Sequence, residues 1–258
     1  MSASERVRLT SEDRDGGRVV TITIDYPERL NVLNTPIIQD LIDTIRRLST
    51  DEQIRAIVIT GAGDRAFVGG ADAYELVELN ARTAETFITS FHRFLAALRD
   101  CPIPVIARID GHCLGGGMAL AAACDLRAAS DRSTFGMPEV RVGIPSVIEA
   151  ALLPGIIGWG RARELLYTGD TIDGATAAAW GLIERVVPAD QLDDAVDGWI
   201  TSILACGPRA IRAQKTLMHK WESLPLTAAI AVGIPVFAEA FATDEPRTYL
   251  KSFLDRPR

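Results

Sequence analysis

The chain has 258 residues, 48 % of them hydrophobic and 6 % aromatic, which suits one large domain or one domain with an appendage. Its formal net charge of −7 leaves no broad basic surface, so we expect no nucleic-acid partner. The four cysteines show no Cys-x-x-Cys spacing, and the three histidines are not paired along the chain. This pattern favours buried free thiols over a metal site or a disulfide framework.

The first feature along the chain is a polar N-terminal extension over residues 1–17. It contains no apolar segment of the signal-peptide type, and no run of about 18 apolar residues follows it in the chain. We therefore expect a cytoplasmic protein that makes no contact with a membrane.

Strands alternate with helices through the next part of the chain. Alternating or β-branched apolar runs predict strands, whereas apolar residues at helical spacing predict helices. The predicted strands cover residues 19–25, 56–60, 104–110 and 126–129, and the predicted helices cover residues 36–48, with Thr35 as N-cap, and 83–98. This alternation is typical of an α/β fold with parallel strand pairing.

From about residue 188 onward the pattern is entirely helical. Helices are predicted at residues 192–204, 209–221, 226–241 and 245–253. The predicted plan is therefore an α/β core over residues 18–190, followed by a helical region over residues 191–258.

One segment imitates a dinucleotide-binding motif. Residues 56–66, AIVITGAGDRA, fit a strand followed by Gly-x-Gly-x-x-Ala. That motif requires its glycines to open a helix that receives the pyrophosphate. Gly69 and Gly70 would break such a helix after one turn, so we predict a turn at the strand edge rather than a nicotinamide site.

Two glycine-rich segments each lead from a predicted strand toward a predicted helix. They are residues 66–76, AFVGGADAYEL, and residues 111–125, GHCLGGGMALAAACD. Unpaired N–H groups at such helix starts are backed by the positive end of the helix dipole. Two of them converging on one point would form an oxyanion hole, but two ordinary tight turns would explain the spacing equally well.

These segments also carry a family resemblance. RAFVGGAD, IDGHCLGGGMALAAACDLRAAS and FGMPEVRVGIP, in this order, are similar to the enoyl-CoA hydratase/isomerase (crotonase) family, and the likeness covers residues 18–258. The resemblance implies a crotonase-like spiral of strand-strand-helix (ββα) turns, with C-terminal helices that form a homotrimer or hexamer. It also implies acyl-CoA thioester substrates, an enolate-like intermediate, and no cofactor besides the coenzyme A of the substrate.

The resemblance assigns the chemistry to three residues. The oxyanion donors would be the backbone N–H groups of Ala71 and Gly116, which stabilise negative charge on the thioester oxygen. Glu139 matches a glutamate that transfers protons in the family.

The resemblance also implies contacts to the substrate. Family members hold the coenzyme A phosphates with basic residues, a role that falls to Arg29 and Arg256, whereas Tyr74 stands where a lysine is common. Asp72 and Asp125 match family motifs and are expected to cap helices or form structural pairs. The residues expected around the substrate are Arg29, Leu30, Gly70, Asp72, Gly115 and Arg256.

One family acid is missing. Hydratases of the family use two glutamates, and the position of the first, on the glycine-opened helix, is Ala119 here. A methyl group can neither hold water nor move a proton, which argues against two-carboxylate hydration. Glu139 alone suffices for double-bond migration, and family members similar to 3,2-enoyl-CoA isomerases keep only this glutamate. The predicted activity is isomerisation or single-glutamate hydration, with thioester decarboxylation and a non-catalytic CoA-binding oligomer as alternatives.

Each of the two remaining acids has two interpretations. Apolar neighbours favour a catalytic role for Glu139, whereas the adjacent Arg141 favours a surface ion pair. Glu149 lies in a loop one residue shorter than usual in the family, so it is either a replacement acid near the acyl group or a charge on a helix surface. The apolar neighbours of Glu139 are Phe135, Met137, Val140 and Val142.

Overall fold

The structure is a computed structural model that describes residues 6–255. Ten strands in this part of the chain form two sheets. The larger sheet contains, in spatial order, Val7–Arg14 (β1), Gly17–Ile24 (β2), Ile54–Gly61 (β3), Val105–Ile109 (β5), Leu126–Ser130 (β7) and Arg185–Val187 (β10). The smaller sheet contains Ala66–Val68 (β4), His112–Leu114 (β6), Thr134–Gly136 (β8) and Thr171–Asp173 (β9).

Helices follow most of the strands and make up the C-terminal region. In chain order they are Thr35–Ser49 (α1), Ala73–Leu76 (α2), Ala81–Asp100 (α3), Gly116–Ala123 (α4), Leu153–Ile157 (α5), Trp159–Thr168 (α6), Gly174–Trp180 (α7), Leu192–Leu204 (α8), Pro208–Trp221 (α9), Leu226–Ala240 (α10) and Glu245–Leu254 (α11). Short 3-10 turns lie at Pro27–Arg29, Pro138–Val142, Ile148–Leu152 and Ala189–Gln191.

The predicted spiral of strand-strand-helix turns is confirmed. β3, β5 and β7 lie in the larger sheet, and the strands that directly follow them, β4, β6 and β8, lie in the smaller sheet. A helix or a 3-10 turn follows each pair of strands. The pairings β3–β5, β5–β7, β4–β6 and β6–β8 are parallel, as expected. Because parallel neighbours end at the same edge of a sheet, the loops after β4, β6 and β8 lie side by side.

Helix α3 supplies an aromatic part of the core. Its buried residues are Phe87, Phe91, Phe94, Leu95 and Leu98, at the spacing that places them on one helical face. The rings of Phe91 and Phe94 are stacked with centroids 6.4 Å apart. Phe91 is therefore held on several sides, which limits how far its ring can shift.

One segment has a structure that its composition did not indicate, and one local prediction is wrong. Residues 7–14, expected in a polar extension, form β1, which pairs antiparallel with β2 along its whole length. This edge strand is mostly exposed, so its backbone hydrogen bonds hold it in the sheet while its side chains stay polar. The N-cap of α1 is Asn34 rather than Thr35, because the Asn34 side chain accepts a hydrogen bond from the Ile37 N–H.

The segment that imitates a dinucleotide-binding motif is a turn, as predicted. β3 ends at Gly61 and the chain passes directly into β4 at Ala66, without an intervening helix. Gly63 has a φ of +76° in this turn, which a glycine adopts without strain. The segment therefore lacks the helix N-terminus that a pyrophosphate site needs.

The C-terminal helices expose much apolar surface. No single helix among residues 6–255 is long and apolar enough to cross a membrane, although α10 and α11, bent by 82°, meet that criterion as a pair. The predicted homotrimer or hexamer would cover this surface and stays a prediction. The large exposed residues of α10 and α11 are Leu226, Ile230, Ile234, Phe237, Tyr249, Leu250, Phe253 and Leu254.

Candidate active site

Two glycine-containing loops meet at the edge of the smaller sheet. β4 pairs in parallel with β6, so the loop after β4 lies beside the loop after β6. The first loop contains Gly70 and Ala71 and leads into α2, and the second contains Gly115 and leads into α4 at Gly116. A Cβ atom built on Gly116 would lie 3.6 Å from the Ala71 nitrogen, which shows how closely the two loops approach.

The backbone N–H groups of Ala71 and Gly116 are oriented away from local acceptors. Leu33 forms a parallel bridge with Ala71. The Leu33 N–H donates to the Gly70 carbonyl at 2.9 Å, and the Leu33 carbonyl accepts from the Asp72 N–H at 2.8 Å. This pattern turns the Ala71 N–H to the opposite side. Gly116 is the first residue of α4, where an N–H has no acceptor within its own helix, so two available donors lie next to each other.

Three positions in these loops favour glycine. Gly70 and Gly115 have φ values of +119° and +52°, a range that residues with a Cβ rarely adopt. A Cβ on Gly116 would lie 2.6 Å from two ring carbons of Phe91, closer than real Cβ contacts. The glycines therefore keep side chains away from the N–H pair.

Glu139 lies beside these glycines. It belongs to the turn Pro138–Val142 that follows β8, the strand next to β6. A Cβ on Gly115 would lie 2.8 Å from the Glu139 Oε1 atom, so this half-buried carboxylate rests against the second loop. The Glu139 Oε2 atom accepts a hydrogen bond from the Ser146 hydroxyl at 2.7 Å. The structure thus brings a carboxylate and two available N–H donors together.

The surface ion pair considered for Glu139 is wrong. Arg141 pairs with Asp170 and donates to the Thr168 carbonyl at 2.9 Å, so its guanidinium is engaged elsewhere. Sequence reasoning missed the partner that Glu139 has, Ser146, because no local pattern marks a hydroxyl seven residues after the acid.

The apolar surroundings expected for Glu139 are present in part. Phe135 and Met137 are buried, but Val140 and Val142 are exposed. The 3-10 turn that contains both valines directs them outward, which the sequence alone did not indicate. The buried members of this set are therefore the two that precede the turn.

Glu149 lies inside the protein rather than on a helix surface, so that alternative is wrong. It belongs to the turn Ile148–Leu152, which packs against both α3 and α4. Its side chain is 6 % exposed, and its Oε1 atom lies 2.8 Å from the Nδ1 atom of His92 on α3. Ala119, which replaces the family acid, is buried one turn into α4. Sequence reasoning missed His92, which lies 57 residues before Glu149 in the chain.

Arg29 is held in place by two neighbours. Its guanidinium lies 2.9 Å from the Asp72 carboxylate and 4.2 Å from the centre of the Tyr74 ring. Asp72 also caps α2 by accepting a hydrogen bond from the Tyr74 N–H at 2.9 Å, so its predicted capping role is confirmed. Tyr74, which replaces a family lysine, therefore acts as a platform for Arg29.

The other residues that the family motifs singled out have three different outcomes. The Leu30 carbonyl accepts from the Gly69 N–H at 2.8 Å, so Leu30 shapes the first loop through its backbone. Asp125 pairs with Lys215 at 2.7 Å, which confirms the predicted structural pairing. Arg256 lies outside the described residues.

The cysteines supply no nucleophile to this site. Cys101, Cys113 and Cys124 are buried free thiols as predicted, whereas Cys206 is exposed. Burial raises the pKa of Cys113 far above its ordinary value and that of Cys124 to about 12. Neither thiol on the two sides of α4 is therefore a thiolate near neutral pH.

Comparison with known proteins decides the family. The sequence model of Enoyl-CoA hydratase/isomerase matches residues 14–258. The chain belongs to the enoyl-CoA hydratase/isomerase family. It is 30 % identical over 241 residues to a short-chain-enoyl-CoA hydratase of Clostridium acetobutylicum, covering 93 % of this chain and 92 % of that protein. It is 31 % identical over 255 residues to a crotonyl-CoA hydratase of Syntrophomonas wolfei, covering 98 % and 96 %.

The solved structures agree with the family assignment. The crystal structure of an enoyl-CoA hydratase from Bacillus anthracis matches this fold with a TM-score of 0.92 at 27 % identity, covering 97 % of this chain and 96 % of that one. The protein is therefore an acyl-CoA enzyme of the enoyl-CoA hydratase/isomerase family with the crotonase fold, as the sequence resemblance predicted.

Proposed function

We propose that this family member shifts the double bond of an enoyl-CoA thioester. Glu139 carries the proton, and the N–H groups of Ala71 and Gly116 stabilise the enolate. The observation that supports the proposal is the position of the Glu139 Oε1 atom against Gly115, beside two available N–H donors. A base and an oxyanion hole in one place are what proton removal next to a thioester carbonyl requires.

The reaction needs a single base. Glu139 removes a proton from C2 of a 3-enoyl thioester, and the negative charge moves onto the thioester oxygen between the two N–H donors. The protonated Glu139 then returns the proton to C4, which gives the conjugated 2-enoyl product and restores the carboxylate. Ser146 occupies Oε2, so Oε1, the atom against the glycine loop, is the one available to the substrate.

Hydration is the second candidate reaction. The two curated relatives described above are named hydratases, and the buried Glu149 beside α4 offers a second carboxylate. Decarboxylation would need the N–H pair but hardly a base, and a non-catalytic CoA-binding oligomer would need neither. The presence of Glu139 beside the N–H pair favours proton transfer over both.

Product analysis on a small panel of thioesters tests the proposal. The protein is incubated with a short trans-3-enoyl-CoA, the matching trans-2-enoyl-CoA and a malonyl-type thioester, and the products are separated by chromatography. We expect the 3-enoyl substrate to become the conjugated 2-enoyl product. Unchanged 3-enoyl-CoA, under conditions where the protein binds it, would contradict the proposal, and carbon dioxide release from the malonyl thioester alone would favour decarboxylation.

Arg29 is expected to bind the phosphates of coenzyme A. Replacing Arg29 by Ala should raise the KM for acyl-CoA about tenfold and leave kcat within about threefold, because a hydrogen bond to a charged group remote from the reacting carbons contributes ~1.5–3 kcal/mol to ground state and transition state alike. Steady-state kinetics check this. The matched control is Arg161→Ala, which removes an exposed arginine that is also stacked on an aromatic ring, that of Trp180. An unchanged KM in the Arg29 variant would remove this residue from the binding site.

A further inference from the structure

Glu149 is a buried carboxylate, and one of its two oxygen atoms has no hydrogen-bond partner among residues 6–255. Its Oε1 atom lies 2.8 Å from the Nδ1 atom of His92, whereas no protein group among residues 6–255 donates to its fully buried Oε2 atom. Buried polar atoms normally have a partner, because leaving one unpaired is costly. An unpartnered carboxylate oxygen inside an enzyme therefore points to a role for that oxygen with a ligand or a reacting group.

The backbone around Glu149 supports this interpretation. The preceding residue, Ile148, has a φ of +51°, a region that β-branched residues almost never adopt. Such conformations persist only where the surrounding structure enforces them, and they cluster at functional sites. The residue that follows, Glu149, has its side chain inside the protein and in contact with His92.

Glu149 and His92 also border the site that contains Glu139. Ser146, which binds the Glu139 carboxylate, precedes Glu149 by three residues, and three residues of extended chain span at most about 11 Å. On the other side, His92 follows Phe91, whose ring packs directly against Gly116. The pair is therefore linked to the base through Ser146 and to the oxyanion loop through Phe91.

We propose that Glu149 is a second catalytic carboxylate of this enzyme, oriented by His92, and that it takes over the task for which Ala119 has no suitable group. This inference rests on the proposed function, since it needs the same enolate. It extends the chemistry from double-bond migration to hydration of a 2-enoyl thioester. His92 is a positioning residue, because it acts through Glu149.

Glu139, Glu149 and one water molecule account for every proton and electron pair in the hydration step. Glu139 accepts a proton from water as the water oxygen bonds to C3, and the electrons of the double bond move to the thioester oxygen as an enolate. The protonated Glu149 then gives its proton to C2, and the thioester carbonyl re-forms. Glu139 releases its proton to solvent, and Glu149 regains one through His92, whose side chain is 55 % exposed and whose ring nitrogens can relay protons.

Comparing two reactions on the same preparation tests the inference. Glu149→Gln should lower kcat for hydration of a short trans-2-enoyl-CoA about 100-fold or more, while KM and the isomerisation of the matching 3-enoyl-CoA stay within about threefold. Isomerisation serves as the internal check of folding, and Glu149→Leu is the second uncharged variant. Glu85→Gln, on the exposed face of α3, is the matched control and should change neither rate.

The role of His92 has a separate readout. His92→Ala should lower hydration about tenfold or more, and added imidazole should restore part of that loss, because it can occupy the space of the ring and relay protons. Imidazole should restore nothing in Glu149→Gln. If His92 had a purely structural role, added imidazole would not restore the hydration rate alone.

The outcomes separate the two proposals. If the wild type isomerises 3-enoyl-CoA but does not hydrate 2-enoyl-CoA, or if Glu149→Gln leaves hydration within about threefold, the inference fails and the proposed function stands. Equal loss of both reactions in Glu149→Gln and Glu149→Leu would show a structural role and also overturn it. A wild type that turns over neither substrate would overturn the proposed function itself.

Discussion

Glu139→Gln is expected to lower kcat for double-bond migration at least about 100-fold, within the range of about 10²–10⁴-fold that a positioned general base contributes. The amide keeps the size of the side chain and can still accept the Ser146 hydrogen bond, but it cannot take a proton from carbon. The dissociation constant for an acyl-CoA product should stay within about threefold, because the N–H pair and Arg29 are untouched. Steady-state kinetics with a 3-enoyl-CoA and equilibrium binding of the product measure the two quantities.

The result separates a base from a structural carboxylate. Ser146→Ala is the graded companion variant: it removes the 2.7 Å hydrogen bond but keeps the acid, so we expect a loss of only about three- to tenfold. If Glu139→Gln keeps kcat within about threefold of the wild type, a barrier change below ~0.7 kcal/mol, Glu139 is not the base.

The sequence indicates strands β2, β3, β5 and β7 of the larger sheet and helices α1, α3 and α8 to α11, because each carries a recognisable apolar pattern. The predicted helix over residues 83–98 is α3, Ala81–Asp100, and the predicted strand over residues 56–60 is β3, Ile54–Gly61. The strands of the smaller sheet are three residues long, too short for any periodicity, so the sequence does not predict them. Yet these short strands place the loops of the site side by side.

The residues of the candidate site also differ in whether the sequence predicts their positions. Ala71, Gly116 and Glu139 stand in local motifs, so a resemblance could place them, and their catalytic roles stay predictions. The contact between His92 and Glu149 joins residues 57 positions apart and leaves no local signal. Only the packing of the shortened loop against α3 and α4 buries Glu149, which explains why its burial could not be predicted.

The glycine at position 116 is expected to be as sensitive as the base. Gly116→Ala keeps the backbone N–H but places a methyl group 3.6 Å from the second donor, the Ala71 nitrogen, where it obstructs the thioester oxygen. We expect kcat to fall about 100-fold or more, because losing the use of one oxyanion donor costs about 2.7–4 kcal/mol in comparable sites. The same methyl group would lie 2.6 Å from the Phe91 ring, so we also expect a loss of ~1–3 kcal/mol in the free energy of unfolding. Kinetics and denaturant unfolding on one preparation measure both effects.

A second substitution separates crowding in the core from loss of the donors. In Gly116→Ala combined with Phe91→Leu, the ring atoms that the methyl group meets are gone, so overpacking is relieved while the methyl group still lies beside the N–H pair. Gly160→Ala is the matched control, because it also replaces a glycine at the start of a helix, α6, and its new Cβ atom meets nothing within 4 Å. It should leave kcat unchanged. We expect the double variant to stay at least about 100-fold impaired, because the methyl group still obstructs the approach of the thioester oxygen to the N–H pair. Recovery of kcat with the relief of packing would show that a side chain at position 116 disturbs only the core and does not obstruct the oxyanion hole.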